Sequence, residues 1–191
     1  MFQLWVIFLA VITYANADSS EKLITAVRKQ IGVTVRYDPA YVSLNYPKGD
    51  LPRERGVCTD VVIRAFRDGL DKDLQELVHI DMKANFSKYP KIWGLKSTDK
   101  NIDHRRVPNL MTFFTRNHIS IPLPKGDEKS KFLPGDIVTC TVPPNLPHIM
   151  IVSDKKNSAG RPLVIHNIGG GTEEENRIDE FPITGHYRWK E

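Results

Sequence analysis

Cysteine is scarce in this sequence, with two residues, Cys58 and Cys140, in a chain of 191. No CxxC or HExxH spacing occurs, which removes the metal sites that are read directly from short ligand spacing. No lysine of the Walker kind accompanies Gly169-Gly170-Gly171, so that run is read as a flexible turn and not as a phosphate loop. Internal repeats and low-complexity segments are also missing. Charge of one sign is not concentrated anywhere: 27 Lys and Arg against 23 Asp and Glu give a net charge of +4 and a pI near 9.0, with the two signs interspersed. A mildly basic surface of that kind suits an anionic polymer such as cell wall, and it gives no support to nucleic-acid readout.

Long apolar runs are few. One runs from Leu4 to Tyr14 and ends at Ala15-Asn16-Ala17, a small-x-small cleavage pattern. No Lys or Arg precedes it, and about eleven apolar residues fall short of the roughly twenty that span a bilayer. The expectation is a signal peptide over residues 1–17, export to the periplasm or medium, and a mature domain over 18–191 without stable membrane insertion. A pair of cysteines in an exported chain invites a disulfide. Their settings differ, however: Cys140 lies in the alternating run Ile137–Val142, whereas Cys58 lies at a turn that leads into a helix.

Helical periodicity comes first along the chain and β periodicity second. Leu23, Ile24, Val27 and Ile31 predict a helix from Ser20 to Gly32. Val61, Val62, Ala65 and Phe66 predict one from Cys58 to about Gly69, residues Asp71 to Phe86 a second, and Leu110 to Asn117 a third. Val33 to Pro52 and Tyr89 to Val107 read as loops. Short strands are expected at Asp136–Val142, His148–Ser153, Leu163–His166 and Tyr187–Trp189. This order predicts an α+β fold in which a meandering antiparallel sheet packs against the cysteine helix.

A thiol attacks as its thiolate, which a helix N-terminus and a nearby imidazole both favour. Cys58 has the first feature by position. Among six histidines, His79, His118 and His186 read as surface or packing residues. His148 opens one strand and His166 closes another, so adjacent antiparallel strands could set their imidazoles side by side. One would then serve as general base and the other would orient it.

Together, GVCTDVVIRAFRDGL, the strand entry at Gly135-Asp136-Ile137-Val138, PHIMIVSD, VIHNIGGG and PITGHYRW resemble the DUF1287 family, a branch of the NlpC/P60-like, papain-fold superfamily. The resemblance runs from about Val33 to Trp189. It implies a papain-like NlpC/P60-type fold and a cysteine hydrolase that needs no cofactor and cuts amide bonds in peptidoglycan stem peptides. It further implies Cys58 as nucleophile, His148 as base then acid, and His166 as orienting residue. A tyrosine near the oxyanion site is matched by Tyr37, with Tyr41 second. Val57 stands where NlpC/P60 proteins carry an aspartate. Asp60 has two readings, contact with a substrate amine or service to the positive helix end. The run Asn101–Pro108, characteristic of the DUF1287 branch, places His104, Arg105 and Arg106 as substrate-binding candidates. The arginines read equally as a stem-peptide carboxylate clamp or as part of a solvated loop. Two rival functions stand beside hydrolysis: a non-catalytic wall-binding or periplasmic interaction module, and a zinc hydrolase using His148, His166 and Cys58 or Asp60. The sequence leaves open whether an inhibitor or immunity protein exists.

Overall fold

The computed structural model describes residues 19–123 and 131–190. The expected signal peptide lies outside them. Among the described residues no helix is long and apolar enough to cross a membrane.

The first helix, α1, covers residues 19–28 and gives way to tight turns through residue 33, shorter than the periodicity predicts. Two short strands, β1 (Arg36–Tyr37) and β2 (Arg55–Gly56), then pair in parallel, with Tyr37 opposite Gly56. The cysteine helix α2 (Cys58–Leu70) follows at once. It ends where Asp71 turns left-handed (φ 51°), and Asp73 caps α3 (Leu74–Ala84) by accepting from the Gln75 backbone N–H. A single 3-10 turn, Phe86–Lys88, precedes the stretch read as a loop from Tyr89, and a second, Asp103–Arg105, lies within it. Helix α4 (Val107–Arg116) starts earlier than apolar spacing suggests, because Pro108 fits its first turn.

The second half builds one antiparallel sheet. Its strands are β3 (Ile137–Val142), β4 (Leu146–Lys156), β5 (Pro162–Asn167), β6 (Thr172–Glu175) and β7 (Ile183–Tyr187), in the spatial order β6-β5-β4-β3-β7. The α+β order and the meander from β3 to β6 agree with the sequence reading. β6 was not foreseen, and the last strand lies earlier than Tyr187–Trp189.

Both faces of the sheet are covered. Ile137, Ile149, Ile151 and Ile165 pack under α1, α2 and α4 with Leu23, Val61, Phe66, Leu110 and Phe114. Val138, Cys140, Met150, Val152 and Val164 form a second core with Phe132, Ile178 and Phe181. Two-sided burial accounts for the unbroken apolar stretches Ile149–Val152 and Val164–Ile165. Both cysteines are free.

Two polar devices fix the approach to Cys58. Arg64, fully buried in α2, donates to Asp50 (3.0 Å), Thr34 Oγ1 (3.1 Å) and the carbonyls of Leu51 (3.2 Å) and Arg55 (2.9 Å). It thereby satisfies the backbone of the loop that runs up to the helix. Asn167, at the end of β5, donates to the Gly56 carbonyl (3.0 Å) and accepts from Gly169 (3.1 Å) and Gly171 (3.2 Å). Gly171 (φ +107°) approaches so closely that a Cβ would stand 2.8 Å from the Thr34 carbonyl oxygen. The glycine turn is thus pinned and not the flexible connection its composition predicts. A separate cluster lies on the α1 side of the sheet: Glu174 accepts from Arg28 (2.8 Å), Ser153 (2.5 Å) and Lys155 (2.7 Å).

Candidate active site

Cys58 is the first residue of α2 and is 4% exposed. Asp60 accepts from the Val57 backbone N–H (2.7 Å), closing the helix start. Burial pushes the Cys58 thiol up to about 12, against the pull of the Ile149 and Thr59 backbone N–H groups. Desolvation outweighs the N–H groups here, so the helix start by itself does not make a thiolate.

His148 and His166, on adjacent strands, lie within hydrogen-bond distance of each other: His148 Nε2 is 2.7 Å from His166 Nδ1. Beyond them, His166 Nε2 is 3.1 Å from Glu175 Oε2. A carboxylate only accepts, so the proton between the last two groups belongs to His166 Nε2. Neutral His166 then has a bare Nδ1, which accepts from His148 Nε2–H. His148 is left with a lone pair on Nδ1, the form a general base needs. Burial first, then the charges of His166 and Arg177, push His148 down to about 3. Burial and Arg177 push His166 down to about 4, against Glu173 and Glu180. Both imidazoles are therefore neutral at pH 7.

Cys58 and His148 line two neighbouring clefts that share Tyr37, Leu146 and Pro147. The cleft at Cys58, about 440 Å³, is walled by Ile92, Trp93 and Arg106. The cleft at His148, about 400 Å³, is walled by Ile168, Arg177 and Phe181. Tyr37 is held up to about 12, by burial and then by the charges of Cys58 and Asp60, so its phenol keeps its proton. Tyr41 lies elsewhere, bonded to Asp99 and Asn101.

The two arginines that the sequence placed together have separate fates. Arg105 is buried and gives Nε and Nη2 to Asp60 (2.9 and 3.0 Å), Nη1 to the Ala40 carbonyl (3.0 Å) and Nη2 also to the Asp38 carbonyl (3.2 Å). Its donors, and the Asp60 carboxylate, are thus committed within the chain. The helix-end reading of Asp60 fits this geometry, and a two-arginine clamp does not. Arg106 lies over the Trp93 ring (4.1 Å to the centroid) and bonds only weakly to Asp103 (3.5 Å). His104 is buried, is pushed down to about 3 by burial and lines neither cleft. A direct substrate contact by His104 has no path in this arrangement. His79 packs edge-on against Tyr46 and His118 is exposed, whereas His186 is buried on Asp136 (2.6 Å).

Glu175 and Arg177 escaped the sequence reading. Their signal was faint: the run Thr172–Glu175 has neither alternation nor an apolar residue. Among the described residues no three His, Cys, Asp or Glu side chains are grouped as ligands for one ion, so the candidate zinc set is not assembled here.

A family model described as "Domain of unknown function (DUF1287)" matches residues 24–189. The Escherichia coli K12 protein named "Uncharacterized protein YijF" is 51% identical over 174 residues, covering 91% of this chain and 83% of its own. Among solved structures, a Bacteroides uniformis protein described as an N-acetylmuramoyl-L-alanine amidase superposes with a TM-score of 0.54 at 12% identity, over 91% of this chain and 99% of that one. At that identity the likeness is one of fold.

Proposed function

This chain belongs to the DUF1287 family, and we propose that it is an exported cysteine hydrolase of the NlpC/P60-like, papain-fold kind that cuts amide bonds in peptidoglycan peptides. The observation that carries the reading is the His148–His166–Glu175 chain, which leaves Nδ1 of His148 unprotonated, His148 lining the cleft that adjoins the one at Cys58. The fold shared with the amidase supports an amide in peptidoglycan as substrate.

In this mechanism Cys58 rests as a thiol. His148 Nδ1 takes its proton as Sγ attacks the carbonyl carbon, and the same proton passes to the nitrogen as the C–N bond breaks. Water, deprotonated by His148, then cleaves the thioester and returns the thiol. Tyr37, which lines the Cys58 cleft, is the donor proposed for the developing oxyanion, the role that family resemblance gives it. Arg106, with most of its donors uncommitted, is the residue suited to a carboxylate on the substrate.

Burial of Cys58 and the high pKa of its thiol favour the second reading, a wall-binding module without turnover. Mass spectrometry of fragments released from purified peptidoglycan separates the two. Cleavage by the parent chain but not by folded Cys58→Ala and His148→Ala variants supports hydrolysis. Binding without release, equal in all three, supports the module.

A further inference from the structure

The imidazoles of His148 and His166 are ringed by a definite set of titratable groups. Cys140 on β3 stands opposite His148 in the ladder. Cys58 comes from α2 and Tyr37 from β1, Glu173 and Glu175 come from β6, and Arg177 and Glu180 come from the loop that joins β6 to β7. Arg177 is the cation in this ring whose charge reaches both imidazoles.

Its side chain is anchored at one end and aimed at the other. The guanidinium lies over Phe181, 5.2 Å from the ring centroid, and forks onto Glu180 through Nε and Nη2, the latter at 2.6 Å. That leaves Nη1 directed at Glu175 Oε2, 3.8 Å away, the same oxygen that faces His166 Nε2.

We propose that Arg177 is a positioning residue for the base: it holds the Glu175 carboxylate against His166 and thereby fixes His148 with its proton on Nε2 and its lone pair on Nδ1. Glu175 is partly exposed, and a flexible carboxylate on a four-residue strand keeps no single rotamer without a second anchor. Arg177 also guards protonation. Removing it deletes a positive charge beside both imidazoles and unmasks Glu175 and Glu180, and each of these changes favours the imidazolium form. The resting base would then be lost at milder acidity.

The proposal rests on His148 being the base of the proposed hydrolase. Its test, however, reads the imidazoles themselves and needs no substrate. Nitrogen-15 NMR of the histidine rings in the parent chain, Arg177→Gln and Arg177→Lys reports tautomer and titration midpoint. The parent is expected to show both rings as the Nε2–H tautomer down to acidic pH. Arg177→Gln should mix the tautomers and raise both midpoints by about one pH unit. Arg177→Lys should restore the midpoints through its charge but not the single tautomer, since it lacks the fork. If Arg177→Gln keeps an unchanged thermal midpoint, tautomer and titration, or loses stability while the rings titrate as in the parent, the proposal is overturned. Absence of peptidoglycan cleavage in the parent chain would count against hydrolysis alone and leave the ring measurements to stand by themselves.

Discussion

Arg105 and Asp60 form a buried two-point ion pair, Nε to Oδ1 at 2.9 Å and Nη2 to Oδ2 at 3.0 Å, behind the first turn of the cysteine helix. Asp60 also caps that turn, so the pair couples the Asp103–Arg105 turn to the residue that carries the thiol. Removing one partner of a buried pair leaves the other charge uncompensated, which costs about 3–5 kcal/mol. Arg105→Gln is expected to lower the thermal midpoint by about 10 °C. Arg106→Gln should leave stability within about 0.5 kcal/mol. Calorimetry on both variants checks the contrast, and equal losses would refute it.

The same two variants separate in kinetics once a peptidoglycan fragment is in hand. Arg106→Gln should raise KM by about ten-fold, the effect of losing one charge-assisted hydrogen bond, with kcat little changed. Amidating the substrate carboxylate should reproduce the defect and make the substitution silent.

Glu175→Gln keeps the shape of the side chain and removes the charge that holds the proton on His166 Nε2. The general-base contribution spans about 10²–10⁴-fold, and a partial loss of about ten-fold in kcat is expected, with KM preserved. An unchanged kcat would show that His166 needs no carboxylate to orient it.

Acid should weaken the fold. His104 and His148 are held near 3 and His166 near 4, below the ordinary value of 6.5, chiefly by burial. Between about pH 6.5 and those values the unfolded chain binds protons that the folded chain refuses, so stability rises with pH across that window and falls as pH drops. Each such histidine contributes a slope of about 1.4 kcal/mol per pH unit. Urea titrations at pH 7, 5.5 and 4.5 should show the loss, and His104→Gln should make it shallower without touching the candidate site.

What could be read in the sequence was whatever periodicity or composition encodes locally. The Cys58 helix has a clean apolar face, and His148 and His166 sit at the ends of strongly β-type runs. Arg64 could not be found this way: a charged residue on a helix reads as solvated, and only the carbonyls of a distant loop make its burial sensible. Arg105 and Arg106 looked equivalent because adjacency in sequence says nothing about which side chain meets Asp60. The strand β6 was missed because three consecutive glutamates carry no hydrophobic alternation, and its pairing with β5 is set by neighbours that sequence alone does not supply.

Those glutamates carry a consequence for how the base stays in phase. Glu173 stands directly opposite His166 in the ladder and Glu175 lies diagonally from it, within reach of a long side chain. Glu174 faces the other way, into the grip of Arg28, Ser153 and Lys155. A slip of one residue would turn every side chain of the strand to the opposite face, setting Thr172 or Glu174 opposite His166, while Arg28 would still meet a glutamate, Glu173 or Glu175. The glycine turn, held by Asn167 and set against Thr34, is therefore the timing mark that brings Glu175 to His166.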